Sequence, residues 1–212
     1  MTDEDKQPRI VASLSLEPSL HSFSSSQAPN LNLTLTLDHD KPITIYADDL
    51  APSLMIACGA FTIYDLKTGI EVKQAKRTHC RIPLPSKVQV DVNENLFHTL
   101  YPLTPLTLLA PFTRELRDGG TPPRAGSDSE YSGRHGSCGV DGLETDHQYI
   151  MTLASNPRIL WHHVRWWEYG TKEEILGAGG LDARVVKFRP GPHKPIEVDT
   201  SEIRPVDFGC VS

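Results

Sequence analysis

The chain has 212 residues, a formal net charge of -6 and 38% hydrophobic residues. That length supports one domain with a substantial core. The acidic balance argues against a general nucleic-acid binder, which needs a basic face. No apolar stretch reaches the length of a spanning helix, so no membrane partner is expected.

Residues 1–8 are expected to form a disordered tail. The opening Met-Thr-Asp-Glu-Asp-Lys is acidic and no apolar run follows it, so no secretory leader is expected and the chain is placed in the cytoplasm. Residues 9–212 then read as a single domain. Ile10, Ala12, Leu14 and Leu16 alternate with Val11, Ser13 and Ser15, which predicts a first strand. Residues 17–30 are rich in Pro, Ser and Asn and read as a loop.

The clearest period of two follows. Leu31, Leu33, Leu35 and Leu37 alternate with Asn32, Thr34, Thr36 and Asp38. Such a strand packs one face on a core and leaves the other wet, as antiparallel sheets do. Residues 38–42 form a turn into a strand at Ile43-Thr-Ile-Tyr46, and the two strands read as B and C of a sandwich. Residues 47–58 cross over, with helical character from Leu50 to Ala57. Residues 61–65 and 70–73 predict a hairpin with Gly69 at the turn exit.

Val88, Val90 and Val92 alternate again, residues 93–105 are mixed, and Leu106 to Phe112 is an apolar strand candidate. Residues 114–138 are nearly devoid of aliphatics and read as a flexible insertion. Tyr149, Met151 and Leu153 then alternate. Ahead of them, Gly142 and Leu143 suit a tyrosine corner, in which a tyrosine at the start of a strand bonds back to the backbone upstream. Residues 158–166 read as a strand, 168–176 as a short helix, and residues around 185–188, 194–199 and 203–208 as the last extended pieces. The number of short strands, with turns between them, predicts an all-β, immunoglobulin-like antiparallel β-sandwich.

The sequences LNLTLTLDHDKPITI (31–45), GVDGLETDHQYIMTL (139–153) and WWEYGTKEEILG (166–177) resemble a group of uncharacterised fungal proteins with an immunoglobulin-like sandwich. The resemblance implies a fold and no activity. The Leu-Thr strand is also similar to β-rich propeptide regions of fungal zinc endopeptidases. The chain has no His-Glu-x-x-His, so that activity is not implied.

Three constellations could carry chemistry. All three tryptophans, Trp161, Trp166 and Trp167, lie near Arg165. An exposed strand of Trp and Arg stacks on a sugar, base or peptide, although tryptophan is usually buried. His162 and His163 are adjacent and on a strand would face opposite sides. His135 and Cys138 have a permissible metal-ligand spacing, and His147 with Cys58, Cys80 or His79 could complete a zinc tetrahedron. The pairs Asp48-Asp49 and Glu173-Glu174 read as surface charge. There is no Gly-x-Ser-x-Gly and no phosphate-binding glycine loop, so no cofactor is expected. Gly177-Ala-Gly-Gly180 follows the predicted helix and reads as its stop. The four cysteines, Cys58, Cys80, Cys138 and Cys210, contain no Cys-x-x-Cys, and reduced thiols are expected.

The sequence thus points to a non-enzymatic interaction module with a protein partner, its contacts in the 114–138 insertion, in the segment after Trp161 or along an exposed sheet edge. The alternatives are a zinc protein or metal-dependent enzyme using His135, Cys138 and His147, or a carbohydrate-binding module using Trp161, Trp166 and Trp167.

Overall fold

The computed structural model describes residues 7–74, 87–89, 94–112, 142–155, 163–177, 185–187 and 194–212. Residues 1–6 of the expected tail and the 114–138 insertion lie outside the described residues, whereas Pro8, at the end of that tail, is buried. His79, Cys80, His135, Cys138, Trp161 and His162 also lie outside the described residues.

The strands in chain order are β1 (Arg9–Glu17), β2 (Leu20–Ser22), β3 (Asn30–Asp38), β4 (Ile43–Tyr46), β5 (Phe61–Asp65), β6 (Lys87–Gln89), β7 (Phe97–Leu100), β8 (Leu106–Pro111), β9 (His147–Leu153), β10 (His163–Tyr169), β11 (Val185–Lys187), β12 (Ile196–Asp199) and β13 (Val206–Val211). Two short helices interrupt them, α1 (Pro52–Ala57) and α2 (Lys172–Gly177). Pro52 opens α1, where its missing N–H costs nothing. The fold is all-β, built on two main sheets. Among the described residues, no helix is long and apolar enough to cross a membrane.

Seven strands form the larger sheet in the order β7-β4-β10-β12-β1-β3-β8. Four form the smaller one, β2-β13-β9-β5, and β11 pairs with β6 apart from both. The larger sheet must curl. A flat sheet of that size holds its edge strands about 29 Å apart at the usual spacing, whereas the connection from Leu100 to Leu106 spans at most about 20 Å. On the way, Pro102 bridges to Leu37, and the Leu103 N–H donates to the Leu37 carbonyl at 3.0 Å. The sheet therefore closes most of the way into a barrel.

β3 shows why. Leu31, Leu33, Leu35 and Leu37 are fully buried, and β3 pairs with β1 on one side and β8 on the other. Ile10 and Ala12 of β1, Ile43 and Ile45 of β4, Val164 of β10, and Ile196 and Val198 of β12 are buried in the same core. Curling lets these inward faces meet one another as well as the second sheet, and removes the most apolar surface from water.

Two parallel pairs carry the chain between sheets. β1 runs beside β12 in the large sheet, and their continuations β2 and β13 run side by side in the small one. Arg9 clamps the first pair at its start, donating to Asp199 on β12 and reaching Asp38 on β3 at 3.4 Å. The guanidinium is half exposed, and Asp199 is held down to about 2 by hydrogen bonds from Ser201 and then Arg9. An exposed pair of this kind is screened by solvent and contributes little to stability.

Several expectations change. β3 and β4 were expected as strands B and C, which in a sandwich lie in opposite sheets. They share the larger sheet, with β1, β12 and β10 between them. The turn after β3 aims β4 into the far side of the curl, where Ile43 and Ile45 reach the same core. It is β5 that crosses to the small sheet. β2 and β7 form in stretches read as loop and as mixed sequence. β10 runs on to Tyr169, so the helix begins later than expected, at Lys172.

Candidate functional site

The open end of the small sheet gathers the ionisable side chains. The approach to β9 is set by two residues at positive φ, Gly142 at +75° and Asp146 at +61°. A Cβ on Gly142 would sit 3.1 Å from Val72 Cγ1 and 3.3 Å from the Lys73 carbonyl. Gly142→Ala is therefore expected to cost about 1–2 kcal/mol, read as a lowered midpoint in thermal unfolding. Asp146 is tolerated there because Asp adopts this region more readily than most residues. Its N–H donates to the Cys210 carbonyl at 2.7 Å, tying the corner to β13.

Tyr149 lies inside this corner and is 1% exposed. Its hydroxyl accepts from the Glu144 N–H at 2.7 Å and faces the Glu144 carbonyl at 3.4 Å. Leu143 is buried beneath the bend. The Tyr149 ring stacks on Phe208 at 5.4 Å and on His147 at 6.2 Å. Burial pushes the Tyr149 hydroxyl up to about 12, against the hydrogen bond from Glu144.

His147 faces the hairpin that leaves β5. Its Nδ1 lies 2.7 Å from Asp65 Oδ2, across 82 residues of chain. The other carboxylate oxygen of Asp65 accepts from the N–H groups of Lys67 at 2.7 Å and Thr68 at 3.3 Å, which shapes the turn. Burial works to raise the Asp65 carboxyl. The hydrogen bonds from His147, Lys67 and Thr68 outweigh it and leave it below its ordinary value. At the other end of the ring, His147 Nε2 is 3.6 Å from Glu144 Oε2. Cys210 is directly opposite His147 in the β13–β9 register and is buried, as is Cys58.

The remaining candidates separate. His147 is engaged by Asp65, and His135 and Cys138 lie outside the described residues. Trp166 is buried, its Nε1 donating to the Lys194 carbonyl at 3.1 Å and its ring packed edge-on against Tyr169. It is not available to stack on a sugar. The cause is strand parity: Trp166 shares the inward face of β10 with Val164, while Arg165 is half-buried on the other face, opposite Tyr46. Trp167 is the next residue on β10, and Trp161 lies outside the described residues. The space between α1, β5 and β9, lined by Ile56, Phe61, Ile63, Phe112 and Met151, has room for about one water molecule.

The outer face of the small sheet is different. Asp207, Ile150 and Tyr64 form one cross-strand row. Gly209, Gln148 and Leu66 form the next, with Leu20 beside Gly209. A Cβ on Gly209 would meet the Gln148 amide at 2.5 Å, so glycine lets that side chain lie flat on the sheet. Leu66 is 55% exposed, Leu20 50% and Tyr64 38%, and Ile70 at the hairpin tip is 66% exposed. Alternation in β5 could have signalled Tyr64. Leu20 lies in a stretch without a period, and Ile70 opens the segment read as the return strand of the hairpin, where its exposure has no local signal.

No protein-family model matches this sequence, and comparisons with curated proteins and with solved structures give no match.

Proposed function

We propose that the chain is a non-enzymatic interaction module of immunoglobulin-like design that binds a protein partner through the outer face of the small sheet and its hairpin tip. The observation that carries this reading is that Leu20, Tyr64 and Leu66 stand exposed on the outer face of the small sheet, with Ile70 exposed at the adjoining hairpin, whereas the inward faces of its strands are closed by buried side chains. Exposed apolar side chains grouped on one surface mark contact sites more often than scattered ones. The strand arrangement supports the immunoglobulin-like comparison. β1-β3-β8 face β2-β13-β9-β5, the first strand is divided between the sheets, and the tyrosine at the start of β9 bonds back to its corner. The ionisable groups at the corner are committed to each other, which favours a binding role over catalysis there.

The test uses the full chain, immobilised and cross-linked in cell extract, with bound proteins quantified by mass spectrometry. Leu66→Asp should lose a partner that wild type retains, because a carboxylate would be placed in the apolar contact. Leu109→Asp, on the exposed edge strand of the other sheet, should retain it. Equal recovery by wild type and Leu66→Asp would sink the reading.

A further inference from the structure

We propose that the open edge of β8 pairs antiparallel with β8 of a second copy of this chain, making a twofold dimer in which the two larger sheets join and Leu109 faces Leu109 across the axis.

The two main sheets have four edges, and three are guarded. β7 has α2 packed against it, and the Lys172 N–H donates to Thr99 Oγ1 at 2.7 Å. β5 is covered by the chain returning from its turn. There the Asp65 N–H donates to the Ile70 carbonyl at 3.0 Å, and the Val72 N–H to the Ile63 carbonyl at 2.8 Å. β2 is only three residues long. β8 has six residues, and among the described residues it pairs with β3 alone. The curl does not seal it, since β7 and β8 are not bonded to each other. Its inward-facing Leu106 and Leu108 are half-buried, whereas Leu35 and Leu33 opposite them are fully buried.

The parity of the ladder shows which backbone groups are open. In an antiparallel pair, alternate residues exchange hydrogen bonds with the residue opposite. The Phe112 N–H donates to the Pro29 carbonyl at 2.7 Å, one step beyond the Pro111–Asn30 pair. Ala110, Leu108 and Leu106 therefore bond to β3, and Thr107, Leu109 and Pro111 turn their backbone groups outward. Pro111 has no N–H, so its place in the outward row costs the sheet nothing. The open donors are the N–H groups of Thr107 and Leu109.

A second copy matches them. With the twofold axis at Leu109, the two Leu109 residues exchange N–H to carbonyl bonds. Each Thr107 N–H then meets the Pro111 carbonyl of the other copy, and every open donor has an acceptor. Leu109, 61% exposed, gains an apolar neighbour in its own counterpart. β8 reads Leu-Thr-Leu-Leu-Ala-Pro and carries no charge, so the axis brings no like charges face to face. Many edge strands carry a lysine or another charge that prevents such pairing, and this one does not. Pro105 and Pro111 bracket the donors and keep the contact short. One strand edge is a small interface, which predicts a weak, reversible dimer.

An extended segment of another protein could add to the same edge, so the test is built on self-recognition. The full chain is followed by sedimentation equilibrium over a range of concentrations. Wild type should show a reversible monomer–dimer equilibrium. Leu109→Lys and Leu109→Glu should each weaken it by about tenfold or more, because like charges then face each other at the axis. A mixture of the two variants should associate again, which a folding defect would not allow. Leu109→Pro should also weaken the dimer and keep a urea midpoint close to wild type, since only an outward N–H is lost. Leu66→Asp should leave the dimer intact, because the face proposed for a protein partner belongs to the other sheet. A chain that stays monomeric at every concentration overturns the proposal and leaves the edge to a foreign segment. So does a dimer indifferent to charge at position 109, or a mixture that fails to associate.

Discussion

Leu35→Ala is expected to destabilise the fold by about 2–5 kcal/mol, while Thr34→Ala beside it changes stability by less than about 1 kcal/mol. Leu35 is fully buried in the centre of β3, opposite Ala12 on β1 and Leu106 on β8. Truncation removes three buried carbons and leaves a hole that the curled sheet cannot close, because strands on both sides fix the backbone. The loss is therefore the transfer term together with the cavity term. Thr34 points the other way, where its hydroxyl meets that of Thr107 at 3.1 Å on an exposed surface. Water replaces that contact at little cost. Urea unfolding of the two variants measures both numbers. Similar midpoints for the pair would mean that β3 does not have the parity described.

Tyr149→Phe is expected to cost about 1–3 kcal/mol. The ring would still stack on Phe208, so the loss isolates the hydroxyl. Without it, the Glu144 N–H in the bend has no acceptor and pays the desolvation penalty of an unmade hydrogen bond. The same hydroxyl sets an alkaline limit. Its native value is raised to about 12, whereas an ordinary tyrosine ionises near 10. Burial, which penalises the phenolate, is the main cause. Below about pH 10 the group is neutral in both states and its contribution is complete. As pH rises from there towards 12, the unfolded chain loses its proton and the folded chain keeps it. Stability must then fall with pH. Unfolding measured across that window should show a negative slope that Tyr149→Phe reduces by one proton. An unchanged slope would place the hydroxyl in contact with water.

The two variants probe the parts of the molecule that were most legible in the sequence. A strand with one buried face writes its parity into neighbouring residues, and the Leu-Thr repeat of β3 did so without ambiguity. The bend before Tyr149 was legible for a similar reason, since Gly142, Leu143 and the tyrosine are close in the chain. The site was harder to read. His147 was grouped with His135 and Cys138 as a possible zinc ligand, and its observed partner, Asp65, lies at the end of a strand far upstream. Asp65 looked like an ordinary turn residue, because the side chain that caps the Lys67 and Thr68 N–H groups is also the one that meets the imidazole. Trp166 could be assigned to the core or to a ligand platform until the parity of β10 was known.

By itself, then, the sequence determined the all-β class, the inward faces of β1, β3 and β9, the turn after β5 and the corner that holds Tyr149, whereas the strand expected at residues 70–73 is reduced to a single bridge between Glu71 and Tyr64. Each follows from sterics and burial over a few consecutive residues. Tertiary structure alone decided that β4 joins the sheet of β3, that β2 and β7 form at all, that the large sheet curls, and that Asp65 meets His147. These features depend on which strands lie side by side. That choice is made by the burial of whole faces and by short connections such as the one from Leu100 to Leu106, and local periodicity carries no record of it.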